Sequence, residues 1–421
     1  MRVLVVGATG FIGRRLVPAL QAVGHTVVAA SRHAAANTPA SRQVDFSRLL
    51  RPEDWSPVLR DVDAVINAVG IFRADAHRTL ELMHVDAPRA LFEACVACGV
   101  ARVVQISALG ADDAAASAYH LTKRAADQAL LCLPLAATVV QPSLVFGSGG
   151  ASARMFSTWA ALPVVLVPGR GDQRIQPVHV DDAVDAIVAV LDDRSTVGKT
   201  IPIVGPLPLP LRDYLIGLRA ALGLARARVW PVPMALVRLV AGWGGRITGG
   251  LIDEDALGML ERGNTADPAA IERLLGRTPR PVRHFCDEAP SLWRTWALAG
   301  WALPLLRVAV AVVWIVTGIL SLGVFPVDQS RELLARVGAQ GGMATLLLYG
   351  AAVTDLLLGL ATLLTPRSGA MWASQMALIL GYTALISWCL PEFWLHPFGP
   401  ILKNVPMLAA IAVLWAMKDT R

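Results

Sequence analysis

The sequence predicts an α/β chain built on a doubly wound parallel sheet with a small substrate lobe, followed by a C-terminal bundle of four membrane-spanning helices. Three observations predict it. A glycine turn separates an apolar strand from a helix near Met1, strand-length apolar runs then alternate with helical stretches, and long uncharged segments are confined to the last third of the chain.

The turn is Gly7-Ala8-Thr9-Gly10-Phe11-Ile12-Gly13, preceded by Val3 to Val6 and followed directly by Arg14, Arg15 and Leu16. A helix start offers unpaired N–H groups and the positive end of the helix dipole, and glycine lets the backbone approach phosphate closely. The segment is therefore the expected seat of a dinucleotide pyrophosphate, with Gly7, Thr9, Gly10, Phe11, Ile12 and Gly13 as its contacts. The spacing is Gly-x-x-Gly-x-x-Gly rather than the commoner Gly-x-Gly-x-x-Gly.

The remaining elements follow in the order a parallel sheet demands. A helix runs to about Val23, then come strands at Thr26 to Ala30, ending near Val44, at Ala64 to Ile66, at Val103 to Ile106 and at Thr138 to Gln141. Continuous apolar runs of this length suit strands covered on both faces. From Gly147 onward regularity falls and glycine, proline and arginine rise, which marks the substrate lobe. Ile201 to Pro210 carries four prolines and reads as a bent connection; Leu211 to Leu224 reads as an amphipathic helix.

The chain has 421 residues, more than one typical domain, and 55% of them are hydrophobic. Its mean hydropathy of +0.52 is high for a water-soluble enzyme, and the excess is local. Val308 to Val327 and Ser368 to Pro391 carry no charge, Ala344 to Leu364 is interrupted only by Asp355, and the shorter Pro400 to Met417 carries Lys403. Four spans result, dividing the chain into residues 1–290 and 291–421. Trp293, Trp296, Trp301, Trp372, Trp388, Trp394 and Trp415 lie at or near the span ends, where indole rings favour the interface. Arg277, Arg280, Arg283, Arg294, Arg307, Arg367, Lys418 and Arg421 fall on one side, against Arg331, Arg336 and Lys403 on the other. Positive-inside reasoning puts the N-terminal domain and the C-terminus in the cytoplasm of a bacterial-type inner membrane, with no secretory signal before the first strand.

A net charge of +6 without a dense basic helix excludes nucleic acid as the expected partner. Five cysteines make no disulfide framework. Cys95 and Cys98 lie inside the helix Ala87 to Cys98 with no second pair to complete a metal site, so no metal is expected; Cys132, Cys286 and Cys389 are isolated, as in a reducing compartment. Oligomeric state is left open.

The second strand ends Ala30-Ser31-Arg32-His33, and the first acidic residue in the chain is Asp45. A carboxylate is therefore not the ribose ligand there, and Arg32 with Ser31 suits a 2′-phosphate. NADP(H) is the expected cofactor, with NAD(H) as the second choice.

The chemistry falls to Ser107, Tyr119 and Lys123. Ser107 ends a strand, and Tyr119-His120-Leu121-Thr122-Lys123 puts tyrosine and lysine on one helix face, twelve residues later. A tyrosine with a pKa near 10 is a poor base at neutral pH, so Lys123 is expected to lower it and to hold the nicotinamide ribose. Ser107 hydrogen-bonds the substrate oxygen and Tyr119 passes the proton.

On these motifs residues 1 to about 290 resemble an atypical or extended short-chain dehydrogenase/reductase, with a Rossmann-type sheet, in the group that includes the nucleotide-binding accessory subunit of respiratory complex I. The resemblance implies that Asp45, with Phe46, touches the adenine and that Asn67-Ala68-Val69-Gly70 lines the cofactor. Pro142 to Gly147 and Gln176 to Asp182 match scaffolding stretches of that group. Asp181 or Asp182 then caps the helix Ala183 to Leu191, and His179 packs rather than acting as a base. Gln141 stands where many relatives have arginine. Residues from about 298 resemble DoxX-like membrane domains, most clearly in Glu392 to Pro400 and Lys403-Asn404. That implies a lipid-soluble redox partner such as a quinone. Asp355 inside a span requires a partner, Arg307 or Lys403, or serves a proton relay. The expected activity is hydride transfer between the cofactor and a hydrophobic carbonyl, alcohol or quinone-like substrate. The alternatives are a non-catalytic nucleotide-binding scaffold or sensor and a nucleotide-sugar epimerase or dehydratase.

Overall fold

The computed structural model describes residues 1–32, 38, 40–75, 78–244, 254–397 and 399–419, so His33, Phe398 and Arg421 of the sequence reading lie outside the described residues. The chain divides into two compact units, Met1–Leu298 and Ala299–Arg421.

In the first unit β1 (Arg2–Val6), β2 (Thr26–Ser31), β3 (Ser41–Gln43), β4 (Ala64–Asn67), β5 (Arg102–Ile106) and β6 (Ala137–Pro142) join the strand Thr200–Ile203 in one sheet. The order is Thr200–Ile203, β6, β5, β4, β1, β2, β3, and every pairing is parallel. β4, β5 and β6 are buried along their whole length, as the uninterrupted apolar runs require. Alternation splits β1 between two cores. Val3 and Val5 pack with Leu16, Leu20, Ile187 and Ile203, while Leu4 and Val6 pack with Trp55, Leu91 and Phe92 on the other face. Strand order reverses between β1 and β4. The crevice beyond their C-terminal ends is where ligands bind in open parallel sheets.

Helices α1 (Gly13–Ala22), α2 (Pro52–Trp55), α3 (Ala87–Ala97) and α4 (Ala118–Leu131) connect the strands. Two sequence expectations are corrected here. Ile201 to Pro210 is not wholly a connection, since Thr200–Ile203 pairs with β6, Ile201 opposite Val140. It is an edge strand, where proline is tolerated because one row of N–H groups goes unpaired by strand neighbours. The stretch after Gly147 holds the two expected helices, at Val180–Asp192 and Leu211–Ala221, and is more regular than expected in adding helices Ala151–Ala160 and Met234–Gly244 and a parallel strand pair Val164–Pro168 and Arg228–Val232.

In the second unit, the helix Pro290–Ile319, which crosses the division, continues into a π-turn at Leu320–Val324; Gly341–Leu364 and Gly369–Cys389 follow. These three are long and apolar enough to cross a membrane, and Asn404–Ala416 is a shorter apolar helix. The expected fourth span is thus present as a helix of 13 residues, and the segment between the first two expected spans contains the helix Val327–Arg336. Close packing of the spans depends on small residues: a Cβ on Gly359 would lie 2.5 Å from Ile315 Cγ1, and one on Gly318 would lie 2.7 Å from Leu356 Cγ. Trp314 Nε1 donates to Gln375 Oε1 at 2.9 Å, and Gln375 Nε2 donates to Thr362 Oγ1 at 2.8 Å, a buried polar link between three helices. Asp355 is buried, and its Oδ1 has no hydrogen-bond partner among the described residues, so that atom does not make the expected ion pair with Arg307 or Lys403.

Candidate active site

The glycine turn is shaped by contacts that only hydrogen side chains permit. Gly7 has φ of 83°, and a Cβ there would meet the Ala68 backbone at 3.0 Å; a Cβ on Gly13 would lie 2.1 Å from Gly7 O. The first position brings the turn against the end of β4, and the second packs α1 onto β1. α1 has no side-chain cap and no acidic residue in its first turn, and its N-cap is Ile12. Among the described residues the N–H groups of Phe11, Ile12 and Gly13 find no protein acceptor. A bare positive helix start beside a close backbone approach fits a pyrophosphate.

The turn has a cover that the motif did not reveal. Arg14 and Arg15 donate to Ser148 O, the latter at 2.8 Å, and the Arg15 guanidinium sits 5.3 Å from the Phe11 ring centroid. Gly150 has no room for a Cβ beyond 3.0 Å from that ring. Thr9 and Gly10 remain exposed.

Ser31 is half-buried at the end of β2 and Arg32 is exposed beyond it. Asp45 accepts from Ser47 Oγ at 2.7 Å and lies 3.3 Å from Arg48. The Ser47 hydrogen bond, with the Arg48 and Arg32 charges, holds its carboxyl below the usual range. Asn67 is fully buried; its Nδ2 donates to Gln105 Oε1 at 2.8 Å and its Oδ1 accepts from Val69 N at 3.1 Å, which shapes the loop after β4. Ala68 N donates to Val6 O at 2.9 Å and ties that loop to the glycine turn.

On α4, Ser117 caps the helix by accepting from His120 N, and Tyr119 and Lys123 lie one turn apart. Lys123 is buried, and its Nζ donates to Val69 O at 3.3 Å and to Ile106 O at 3.2 Å. It therefore ties the tyrosine helix to the loops that follow β4 and β5. Burial pushes its pKa down to about 8, with the Asp127 charge opposing. Tyr119 is half-buried, its ring 5.2 Å from Phe72 and 5.4 Å from His84 between centroids.

The expected lowering of Tyr119 by Lys123 is not found. Burial pushes the phenol up to about 12, and the Asp127 carboxyl adds to the rise. The reason is geometric, because the ammonium is turned to two backbone carbonyls and faces Asp127.

Asp127 is the residue that the sequence reading missed. It is buried, its Oδ2 accepts a short hydrogen bond from the Ser107 hydroxyl, and its Oδ1 has no hydrogen-bond partner among the described residues. Burial pushes it up to about 7, against the Ser107 hydrogen bond and the Lys123 charge. Gln141, standing where many relatives have arginine, donates from Nε2 to Ala111 O at 3.1 Å. His84 was missed too. It sits in a π-turn (Leu82–Asp86), its Nε2 accepts from Ile71 N at 3.1 Å, and its Nδ1 pairs with Thr122 Oγ1 at 3.0 Å. Burial and the Lys123 charge push it down to about 3, so the imidazole is neutral.

A cavity of about 330 Å³ is lined by Ser117 at the cap of α4, by His120 of α4 and by Glu254, Asp255, Met259 and Arg262 of the helix Glu254–Arg262. Arg262 pairs with Asp112 and donates to Gly110 O at 2.8 Å, bracing that helix against the loop after β5. The helix beginning at Val180 is capped by His179, whose Nδ1 accepts from Asp181 N at 3.4 Å, so neither Asp181 nor Asp182 is the cap. Asp182 is instead fully buried and binds Arg277 at 2.7 Å and Arg280 N at 2.7 Å. His179 packs between Phe146 and Phe285, as expected of a residue outside the chemistry.

Comparison with known proteins agrees with this geometry. The NAD dependent epimerase/dehydratase family matches residues 3–204, and the DoxX-like family matches residues 311–412. The chain is 32% identical over 223 residues to NADH dehydrogenase (ubiquinone) 1 alpha subcomplex subunit 9 of Arabidopsis thaliana, covering 48% of this chain and 53% of that protein. It is 29% identical over 192 residues to ceramide reductase of Caulobacter vibrioides, covering 44% of this chain and 60% of that one. It thus spans little more than half the length of these two relatives. Against 3-diazoavenalumate denitrifying reductase of a Streptomyces species it is 31% identical over 284 residues, 58% of this chain and 88% of the relative. Among solved structures, MoeE5 in complex with UDP-glucose and NAD has a TM-score of 0.53 at 23% identity, covering 72% of this chain and 100% of that one. The UDP-glucuronic acid 4-epimerase of Bacillus cereus gives 0.52 at 17%, covering 70% and 99%. These structures share the fold.

Proposed function

The chain belongs to the NAD dependent epimerase/dehydratase family and carries a DoxX-like domain behind it, and from that premise we propose a membrane-held, nicotinamide-dependent oxidoreductase acting on a hydrophobic carbonyl or alcohol. The observation that carries this reading is Lys123, pinned to Val69 O and Ile106 O one helical turn from Tyr119, at the crevice where the bare glycine turn also lies. The nicotinamide, when bound, supplies or takes the hydride. Gly7 to Gly13 would hold the pyrophosphate, Arg32 and Ser31 would select a 2′-phosphate and hence NADP(H), Asp45 would contact the adenosine end, and Asn67 and Ala68 would line the cofactor.

Tyr119 then moves the proton at the substrate oxygen, and Ser107 orients that oxygen. With Asp127 ionised, the Ser107 hydrogen points at the carboxylate and its oxygen accepts from an alcohol. With Asp127 protonated, its carboxyl O–H donates a hydrogen bond to Ser107 Oγ, whose own hydrogen is then free to donate to a carbonyl. The carboxyl pushed up to about 7 suits a site that works in both senses near neutral pH. The substrate enters by the cavity lined by Ser117, His120 and Met259.

A second reading, nucleotide binding without turnover, draws on the burial that raises rather than lowers the Tyr119 phenol. The two separate in one experiment. Protein in lipid nanodiscs is given NADPH and a panel of quinones and hydrophobic carbonyls, and oxidation is followed for the unmodified chain and Tyr119→Phe. The oxidoreductase reading expects turnover that Tyr119→Phe removes while NADPH affinity stays. Tight NADPH binding with no turnover on any member supports the scaffold instead. Turnover of UDP-sugars without net oxidation supports an epimerase.

A further inference from the structure

The first unit leaves an apolar face uncovered on the strand Arg228–Val232 and the helix Met234–Gly244. Leu236, Leu239 and Val240, spaced as one helical stripe, are 49%, 61% and 56% exposed, and Trp230 is 58% exposed. Trp230 stands in register with Leu166 of the neighbouring strand, itself 45% exposed, so the strand pair continues the same kind of surface. Large side chains grouped in this way mark an interaction site in a folded protein. Arg226 and Arg228 are exposed at its edge, and Arg238 lies on the helix beside the stripe.

We propose that this strand and helix form a second membrane anchor that lies in the headgroup layer of an anionic bilayer. The bilayer is the occupant for two reasons. An apolar stripe with tryptophan and arginine at its border matches an interfacial helix, which sinks leucine and valine to the acyl boundary and leaves cations among the phosphates. The same chain also carries three helices able to cross a membrane and a DoxX-like domain, so a bilayer is tethered to this surface at high effective concentration. A weak interfacial contact becomes a stable one under that condition. The position has a consequence that rests on the proposed activity. Arg238 pairs at 3.0 Å with Glu261 of the helix that lines the cavity at Ser117 and His120, so an anchored helix would hold that cavity close to the lipid, where a hydrophobic substrate concentrates.

The test uses the full chain in nanodiscs, without nucleotide or substrate, so that it stands or falls apart from the activity. Cys98, Cys132 and Cys389 are changed to Ser, Leu239→Cys is labelled with an environment-sensitive fluorophore, and the discs contain phosphatidylcholine and phosphatidylglycerol with or without a lipid spin-labelled near the headgroup. The expected result is a blue-shifted emission that the spin-labelled lipid quenches, weakened by Leu236→Asp with Val240→Asp and by discs of phosphatidylcholine alone. Water-like emission with no quenching overturns the proposal. Blue-shifted emission without lipid quenching also overturns it, and assigns the face to a protein partner or a second copy of the chain.

Discussion

Replacing His84 by glutamine removes a titrating group from the wall of the site while keeping a carbonyl that can accept from Ile71 N. His84 is held neutral, its pKa lowered from 6.5 to about 3 by burial and by Lys123. For a group whose folded pKa is depressed, the contribution to stability is present above the unfolded pKa and is lost as pH falls towards the folded one. Between pH 7 and about pH 4.5 the loss is about 2.5 kcal/mol, at about 1.36 kcal/mol per pH unit over the part of the interval below the unfolded value. Asp127 works in the opposite sense. Its pKa is raised, so its contribution is present at low pH and is lost as pH rises to about 7, but it is common to both proteins and cancels in their difference. The assay is thermal unfolding in detergent at a series of pH values for the unmodified chain and His84→Gln. The difference in Tm should move by roughly 5 °C against the unmodified chain on acidification, at about 2 °C per kcal/mol for a unit of this size. A difference that stays flat from pH 7 to about pH 4.5 would refute the buried neutral histidine.

Arg32→Ala should reduce a preference of at least about tenfold for NADPH over NADH to near equality, a change worth about 1.4 kcal/mol, read by calorimetric titration of both cofactors. Equal affinities in the unmodified chain would end the argument from Ser31 and Arg32. Lys123→Met should weaken NADPH binding as well as turnover, because the ammonium also joins α4 to the loops after β4 and β5; full affinity in that variant contradicts the assignment. For orientation, cysteine labelling from the periplasmic face should reach a residue placed at Gln329, and labelling of Ser368→Cys from that face instead would reverse the topology.

The glycine turn, the strand and helix on either side of it and the Tyr119 to Lys123 spacing were legible because each is local: a turn needs its glycines in sequence, and one helix face is set by a four-residue step. Asp127 was open to the same logic, being four residues beyond Lys123 on α4, yet a lone acidic residue in a helix carries no mark of its partner. Its partner Ser107 comes from another element, the end of β5. His84 was illegible because a π-turn, which periodicity does not announce, brings it to Tyr119. The strand Thr200–Ile203 was hidden by Pro202, a residue that argues against a central strand but not against an edge. Beyond Gly147 the strands Arg174–Ile175, Val178–His179 and Leu209–Pro210 have only two residues each, too short for an alternating pattern to show. The His179 cap depends on a ring nitrogen reaching a backbone N–H, whereas the acidic neighbours Asp181 and Asp182 carry the composition expected of a cap.

The measurement closest to the central claim follows the transferred hydrogen. NADPH carrying deuterium at its reactive carbon is incubated with the nanodisc protein and a hydrophobic carbonyl that the panel identifies, and the alcohol product, which keeps the label on carbon, is analysed by mass spectrometry. The account predicts deuterium on the product in proportion to NADPH consumed, with Tyr119→Phe slowing the transfer by about 10² to 10⁴ at unchanged NADPH affinity. Transfer that continues at the full rate in Tyr119→Phe, or NADPH that binds tightly and is never consumed, would contradict it.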